Sequence, residues 1–223
     1  QLLQEILSST TKEGKNLFSR PEKWIVNRYV SRIPSWIETY HLTYMTLLWS
    51  AAIIMTGYLA RFNIHWLWVM SFMIFMQYVT DLFDGAVGRY RNTGLVKWGY
   101  YMDHFLDYIF LCSILLGYAL FLTDEYDFII FFLLVVFGAL MFNSYISFAA
   151  TNSFRISYLK IGPTEVRLIF IIINTMIIIF GRTYMAKALP FALALSLVGL
   201  FVVVYRTQKF LWKEDMENKS RKK

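Results

Sequence analysis

The sequence predicts an all-α, polytopic membrane protein: six transmembrane helices preceded by an amphipathic interfacial helix. Three observations predict it. The 223 residues are 57% hydrophobic and 19% aromatic, whereas a soluble domain is about 45–50% apolar. Long apolar segments recur near residues 40–60, 64–90, 95–122, 126–151, 163–181 and 186–212, each reaching the roughly 20 residues that cross a bilayer core. No strand alternation competes. A backbone in lipid must satisfy its own hydrogen bonds, so a helical pattern is read as spanning helices.

With four prolines and no Gly/Ser-rich linker, the chain reads as one membrane domain with flanking segments. Residues 1–38 form a cytoplasmic amino-terminal segment with the amphipathic helix, 39–212 the six-helix catalytic domain, and 213–223 a basic cytoplasmic tail. The first twenty residues are polar and mixed, so no cleavable signal peptide is expected. Residues 21–33 open on Pro21, suited to a first helical turn. Trp24, Ile25, Tyr29, Val30 and Ile33 can share one face, with Lys23, Arg28 and Arg32 facing water or snorkelling. An interfacial helix fits this pattern better than an ordinary solvated one.

The net charge is +7. In a soluble protein that balance would raise nucleic acid as a partner. Here the basic residues gather at helix ends and tails, which suits an anionic membrane surface. Lys12, Lys15, Arg20, Lys23, Arg28 and Arg32 precede the first span, and Arg89, Arg91 and Lys97 follow the second. Arg155, Lys160 and Arg167 precede the fifth span or open it, and further basic residues fill the tail. The other side holds Arg61, Arg182 and Lys187 with Asp124, Glu125 and Asp127. The asymmetry places both termini in the cytoplasm. Cys112 is the single cysteine, so an intrachain disulfide and a cysteine-based zinc site are both excluded.

The second and third segments enclose DLFDGAVGRYRNTGLVKWGYYMDHFLDY, residues 81–108. Asp81 and Asp84 are three apart, and Asp103 and Asp107 four apart, so each pair projects from one helix face. About a turn near Gly94, Asp84 matches Asp103 in depth and Asp81 matches Asp107. Antiparallel helices would therefore bring the four carboxylates together, on the order of 10–15 Å below the level of Arg89 and Lys97. Carboxylates at membrane depth need protonation, basic partners or cations. The hairpin offers few basic side chains, which favours a divalent metal. Oxygen ligands point to Mg²⁺ or Mn²⁺, or to Ca²⁺. No Cys/His cluster argues for zinc, and His104 reads as a packing residue or as a support behind a metal ligand.

Gly85, Gly88 and Gly99 lie inside these helices, where each costs about 1 kcal/mol relative to alanine. Either a ligand approaches the backbone there or the helices pack closely through small residues. Arg89 can bind a phosphate or anchor the membrane edge. The stretch 155–167, RISYLKIGPTEVR, places Arg155, Lys160, Glu165 and Arg167 near the same mouth. It reads as a pocket for an acceptor or lipid phosphate, or as positive-inside anchoring.

These residues resemble the signature of the CDP-alcohol phosphotransferase family, D-x2-D-G-x2-A-R-x8/9-G-x3-D-x3-D. The chain has Asp81, Asp84-Gly85, Gly88-Arg89, Gly99, Asp103 and Asp107 at those spacings, and departs only at Gly88, where the family has alanine. The resemblance implies a metal-dependent transferase. Asp81, Asp84, Asp103 and Asp107 would hold Mg²⁺ or Mn²⁺, as a dinuclear site. Asp81, Gly85, Gly88, Arg89 and Gly99 would bind CDP, and Asp107 would act as the base on the acceptor hydroxyl. The partners implied are a CDP-linked donor, a small alcohol or diacylglycerol acceptor, membrane lipid and a second copy of the chain, with no nucleic acid. The short chain, its six spans and the basic stretch at 155–167 favour CDP-diacylglycerol as donor. The opening RIPSWIETYHLT is loosely similar to the "IP-x-W-I-x-P-N-x-x-T" entry of the CDP-choline and CDP-ethanolamine branch, with Thr39-Tyr40 in place of Pro-Asn. From other classes, the aspartates could line a cation path in a channel or transporter, or the chain could be an inactive scaffold. No internal repeat supports the first, and intact aspartates oppose the second.

Overall fold

A computed structural model describes residues 19–122, 124–151 and 163–221. The described residues form seven α-helices and two 3₁₀ turns joined by short links, and no strand occurs among them. In chain order the helices are α1 (Ser19–Tyr29), α2 (Thr39–Leu59), α3 (Trp66–Arg91), α4 (Val96–Phe121), α5 (Asp127–Thr151), α6 (Pro163–Phe180) and α7 (Arg182–Arg221). The 3₁₀ turns are Val30–Arg32 and Asp124–Tyr126.

Five helical segments among the described residues are long and apolar enough to cross a membrane: Thr39–Leu59, Trp66–Arg91, Val96–Phe121, Asp127–Ala150 and Ala186–Ser220. The chain is an integral membrane protein. The segment expected as a sixth span forms α6, with 18 residues, and is not among these five. Large apolar side chains such as Ile172, Phe191, Leu195 and Phe201 are exposed, as expected where lipid is the solvent. The last helix also differs from its expected extent: α7 continues to Arg221 rather than ending near 212. Lys213 and Glu217 form an i,i+4 pair at 3.7 Å on this extension.

The apolar face expected of the first helix is divided. Trp24 and Tyr29 are exposed, while Val30 is buried against Leu42, Ala86 and Val87, with Val26 and Ile33 beside it. The reason is a polar tether. Glu22 Oε1 accepts hydrogen bonds from Tyr78 of α3 at 3.1 Å and from Thr164 of α6 at 2.9 Å, which draws one side of α1 onto the protein. Arg91 holds the link that follows, donating to the carbonyls of Ile33 at 3.0 Å and Pro34 at 2.9 Å, and also to that of Ile37. Glu38 then opens α2 with a capping box, its N–H donating to His41 Nδ1 at 3.0 Å.

The arrangement of α2 decides where a site can form. α2 packs extensively on both α3 and α4, while α3 and α4 pack more on it than on each other. At the far end α2 meets α4 at Gly57, where a Cβ would lie 2.5 Å from the backbone of Gly117. Small residues allow this approach, as is common between helices in lipid. α6 packs on the outer side of α3. Asn174 ties the layers at depth, accepting from Tyr118 at 2.7 Å and donating to Ser71 at 3.0 Å. Arg182 closes the far end by donating to the carbonyls of Ala60 at 2.7 Å and Arg61 at 2.6 Å, groups that the end of α2 leaves unpaired.

Candidate active site

The hairpin of α3 and α4 turns where the sequence places it. Asn92 caps α3 in the left-handed region at φ 51°, and Gly94 follows at φ 72°. The N–H of Thr93 reaches back to the carbonyl of Gly88 at 3.2 Å, the closing bond of a Schellman end. The two helices therefore return with little direct packing on each other, both resting on α2, which leaves a cleft between them.

Carboxylates from both helices meet across that cleft. One oxygen each from Asp81, Asp103 and Asp107 lie within 4.8 Å of one another. Asp84 is not in this group. Its side chain is buried toward α2, where Thr43 donates to Oδ2 at 2.5 Å, and Thr39 donates to the Asp84 carbonyl at 3.1 Å. Of the four carboxylates expected to converge, the structure brings three together and sets the fourth one layer behind.

A basic partner for the cluster comes from outside the hairpin. Arg167 of α6 reaches Asp81 Oδ2 through Nη1 at 3.0 Å and Asp107 Oδ1 through Nη2 at 2.9 Å. Its side chain is 6% exposed, and its guanidinium lies over the ring of Phe110 at 5.7 Å. Sequence reading placed Arg167 near the mouth but not on the aspartates. The signal was present: an arginine inside an apolar helix needs an anion at its own depth.

The glycines divide between the two readings offered for them. A Cβ on Gly88 would meet Thr39 Oγ1 at 2.8 Å, so this glycine serves close packing with α2. Gly99 has nothing within 4 Å of its Cβ position. Gly85 is exposed and faces only the Arg89 guanidinium, with Nη1 at 3.2 Å. Arg89 is itself exposed. Gly85, Arg89 and Gly99 thus leave accessible backbone and a cation on the two helices that carry the aspartates. His104 packs with its ring 4.3 Å from that of Tyr100 and 5.8 Å from that of Tyr145, its Nδ1 2.8 Å from the Tyr100 carbonyl and 3.7 Å from Asp103 Oδ2.

Glu165 and Arg167 are both buried near the start of α6. Arg155 and Lys160 lie outside the described residues. On the outer side of Arg167, a cavity of about 210 Å³ is lined by Phe75 and Tyr78 of α3 and by Thr164, Arg167, Leu168 and Ile171 of α6. Its walls are apolar except at the Arg167 end.

The donor set suits a hard divalent cation. Three carboxylates with oxygens this close repel one another unless positive charge is shared among them, and oxygen-only ligands match Mg²⁺ or Mn²⁺. The family model for CDP-alcohol phosphatidyltransferase matches residues 36–205. The chain belongs to this family. No curated protein and no solved structure matches it. As a CDP-alcohol phosphatidyltransferase family member, it is a membrane transferase that moves a phospho-alcohol from a CDP-alcohol. Membership sets aside the cation-path reading of the aspartates. The family is metal-dependent in general, and Asp81, Asp103 and Asp107 form a cluster that could hold the ion.

Proposed function

We propose that this CDP-alcohol phosphatidyltransferase transfers a phosphatidyl group from CDP-diacylglycerol to a hydroxyl of a small alcohol, releasing CMP, as a step of phospholipid biosynthesis. The observation that carries the reading is the three-carboxylate cluster on the cleft between α3 and α4, with open backbone at Gly85 and Gly99 on the same helices. The largely apolar cavity beside Arg167 supports a lipid-linked substrate, because it offers an acyl chain an apolar surface next to a residue that touches the charged cluster.

Asp81, Asp103 and Asp107 would hold Mg²⁺ or Mn²⁺, with Asp84 completing a dinuclear set. Bound there, the metal would offset charge on the pyrophosphate. Gly85, Arg89 and Gly99 would bind the CDP moiety with Asp81, while Gly88, first expected among them, lets α3 approach α2. Asp107 takes the proton of the acceptor hydroxyl. The acceptor oxygen then bonds to the phosphorus that bears diacylglycerol, the bond from that phosphorus to the CMP oxygen breaks, and CMP leaves. Glu165 and Arg167, with Arg155 and Lys160, would bind the acceptor or a lipid phosphate.

The accompanying architecture is six spans with α6 as the fifth, α1 at the interface, both termini and the site on the cytoplasmic side, and a homodimer. The basic residues at the cluster end of the helices support this orientation. The alternative donor is CDP-choline or CDP-ethanolamine with diacylglycerol as acceptor. It is favoured by Thr43, the motif threonine of that branch, which contacts Asp84.

Purified protein offered radiolabelled CDP-diacylglycerol with several alcohols, and CDP-choline or CDP-ethanolamine with diacylglycerol, decides between them. Labelled phospholipid from CDP-diacylglycerol alone, abolished by EDTA and restored by Mg²⁺ or Mn²⁺, is the expected result. Product from CDP-choline or CDP-ethanolamine alone would assign the second reaction.

A further inference from the structure

Arg167 engages two of the three carboxylates that would ligate the metal. Its fork does not close on one carboxylate, as a simple ion pair would. It spans Asp81 on α3 and Asp107 on α4, at 3.0 and 2.9 Å. The contact thereby holds the cleft together from a third helix. A divalent cation bound by these oxygens would stand within a few ångströms of the guanidinium. Like charges at that distance oppose each other. Arg167 and the cation would also draw on the same two carboxylates, Asp81 and Asp107.

Arg167 has a second place to go. The same residue lines the cavity between α3 and α6, whose other lining residues include Tyr78 and Thr164, both donating their hydroxyl hydrogens to Glu22 Oε1, so that a carboxylate stands beside this space. A long side chain released from Asp81 and Asp107 can turn into that space without moving a helix.

We propose that Arg167 is the counter-cation of the unloaded acid cluster and that metal binding displaces it from Asp81 and Asp107 toward the cavity between α3 and α6. It is a positioning residue: it keeps the carboxylates gathered until the ion takes them, and its release presents a guanidinium to an anionic group entering the cavity. The inference rests on the metal reading of the acid cluster and adds an order of events to it.

Mn²⁺ binding to substrate-free protein in detergent, read from the loss of the free-ion electron paramagnetic resonance signal, tests the exchange. Wild type, Arg167→Lys, Arg167→Met and Asp81→Asn are compared. Removing the competing charge should tighten Mn²⁺ binding by about tenfold or more in Arg167→Met, with Arg167→Lys between it and wild type, while Asp81→Asn weakens it. Damage to the fold alone would move Arg167→Met the other way. Equal or weaker binding in Arg167→Met, with wild type binding normally, overturns the exchange and leaves the metal reading standing. No Mn²⁺ binding in wild type or in Arg167→Met overturns both. Wild-type protein supplies a check that needs no variant. Phenylglyoxal labelling of Arg167, followed by mass spectrometry, should accelerate on adding Mn²⁺, and an unchanged labelling rate would count against displacement.

Discussion

The hydroxyl of Thr43 on α2 donates to Oδ2 of Asp84 on α3 at 2.5 Å, and both residues are buried. A charged acceptor makes this a strong bond, and it explains why Asp84 faces away from its three companions. Thr43→Val keeps the shape and removes the donor. Thermal unfolding in detergent should report a loss of about 1–3 kcal/mol, the cost of a buried polar group left unpaired. Thr43→Ser should keep most of the stability. A valine variant as stable as wild type would mean that water or another group satisfies Asp84.

Gly88 stands where the family has alanine, and Thr39 occupies the space an alanine methyl would take, with Oγ1 2.8 Å from the Cβ position. Gly88→Ala should therefore destabilise this chain by about 1–3 kcal/mol through overpacking. Thr39→Ala removes the obstructing oxygen, and the double variant should recover at least about 0.5 kcal/mol relative to additivity. Additive losses in the double-mutant cycle would show that the two sites do not share the space.

Two other glycines should respond in opposite ways. Gly57→Ala sets a Cβ 2.5 Å from the Gly117 backbone, which cannot rotate aside, so α2 and α4 must separate. Folding yield and melting temperature should fall. Gly99→Ala meets nothing within 4 Å, so the protein should fold normally and lose CDP-donor affinity if a nucleotide lies against that backbone. Unchanged nucleotide affinity in a bulkier Gly99→Leu would remove Gly99 from the donor site.

Asp107 is four residues beyond Asp103 and shares its oxygen cluster. Asp107→Asn is nearly isosteric and can still accept a hydrogen bond from Arg167, but it is a poor proton acceptor. Turnover should fall by roughly 10²-fold or more, a usual loss for a general base, with CDP-donor binding largely kept. The loss belongs in kcat more than in KM. Donor and metal binding failing together with turnover would make Asp107 chiefly a ligand, and near-normal turnover would deny it both roles.

The orientation is open to direct measurement. With Cys112 replaced by serine, single cysteines placed at Lys219 and at Phe62 should label from opposite sides of sealed vesicles. The tail position should react only from the cytoplasmic side, as the distribution of Lys and Arg requires. Tail labelling only from outside would invert the topology.

The helical membrane class, the hairpin with its turn at Asn92–Gly94, and the identity of the acid-bearing helices were all determined by the sequence itself. These features are local. Apolar length, helical spacing and turn residues act within a few residues of one another, and the motif carries its own spacing. What tertiary structure decided is which way each side chain faces. Asp81 and Asp84, three residues apart, differ by about 60° around their helix. That offset points one into the cleft and the other onto α2 only because α2 packs against both arms of the hairpin. The same packing assigned Gly88 to Thr39 and left Gly99 open. The partner of Asp81 and Asp107, Arg167, arrives from a helix much later in the chain, and no local periodicity encodes that meeting. Burial of Arg167 forced it, because a guanidinium taken out of water needs an anion beside it.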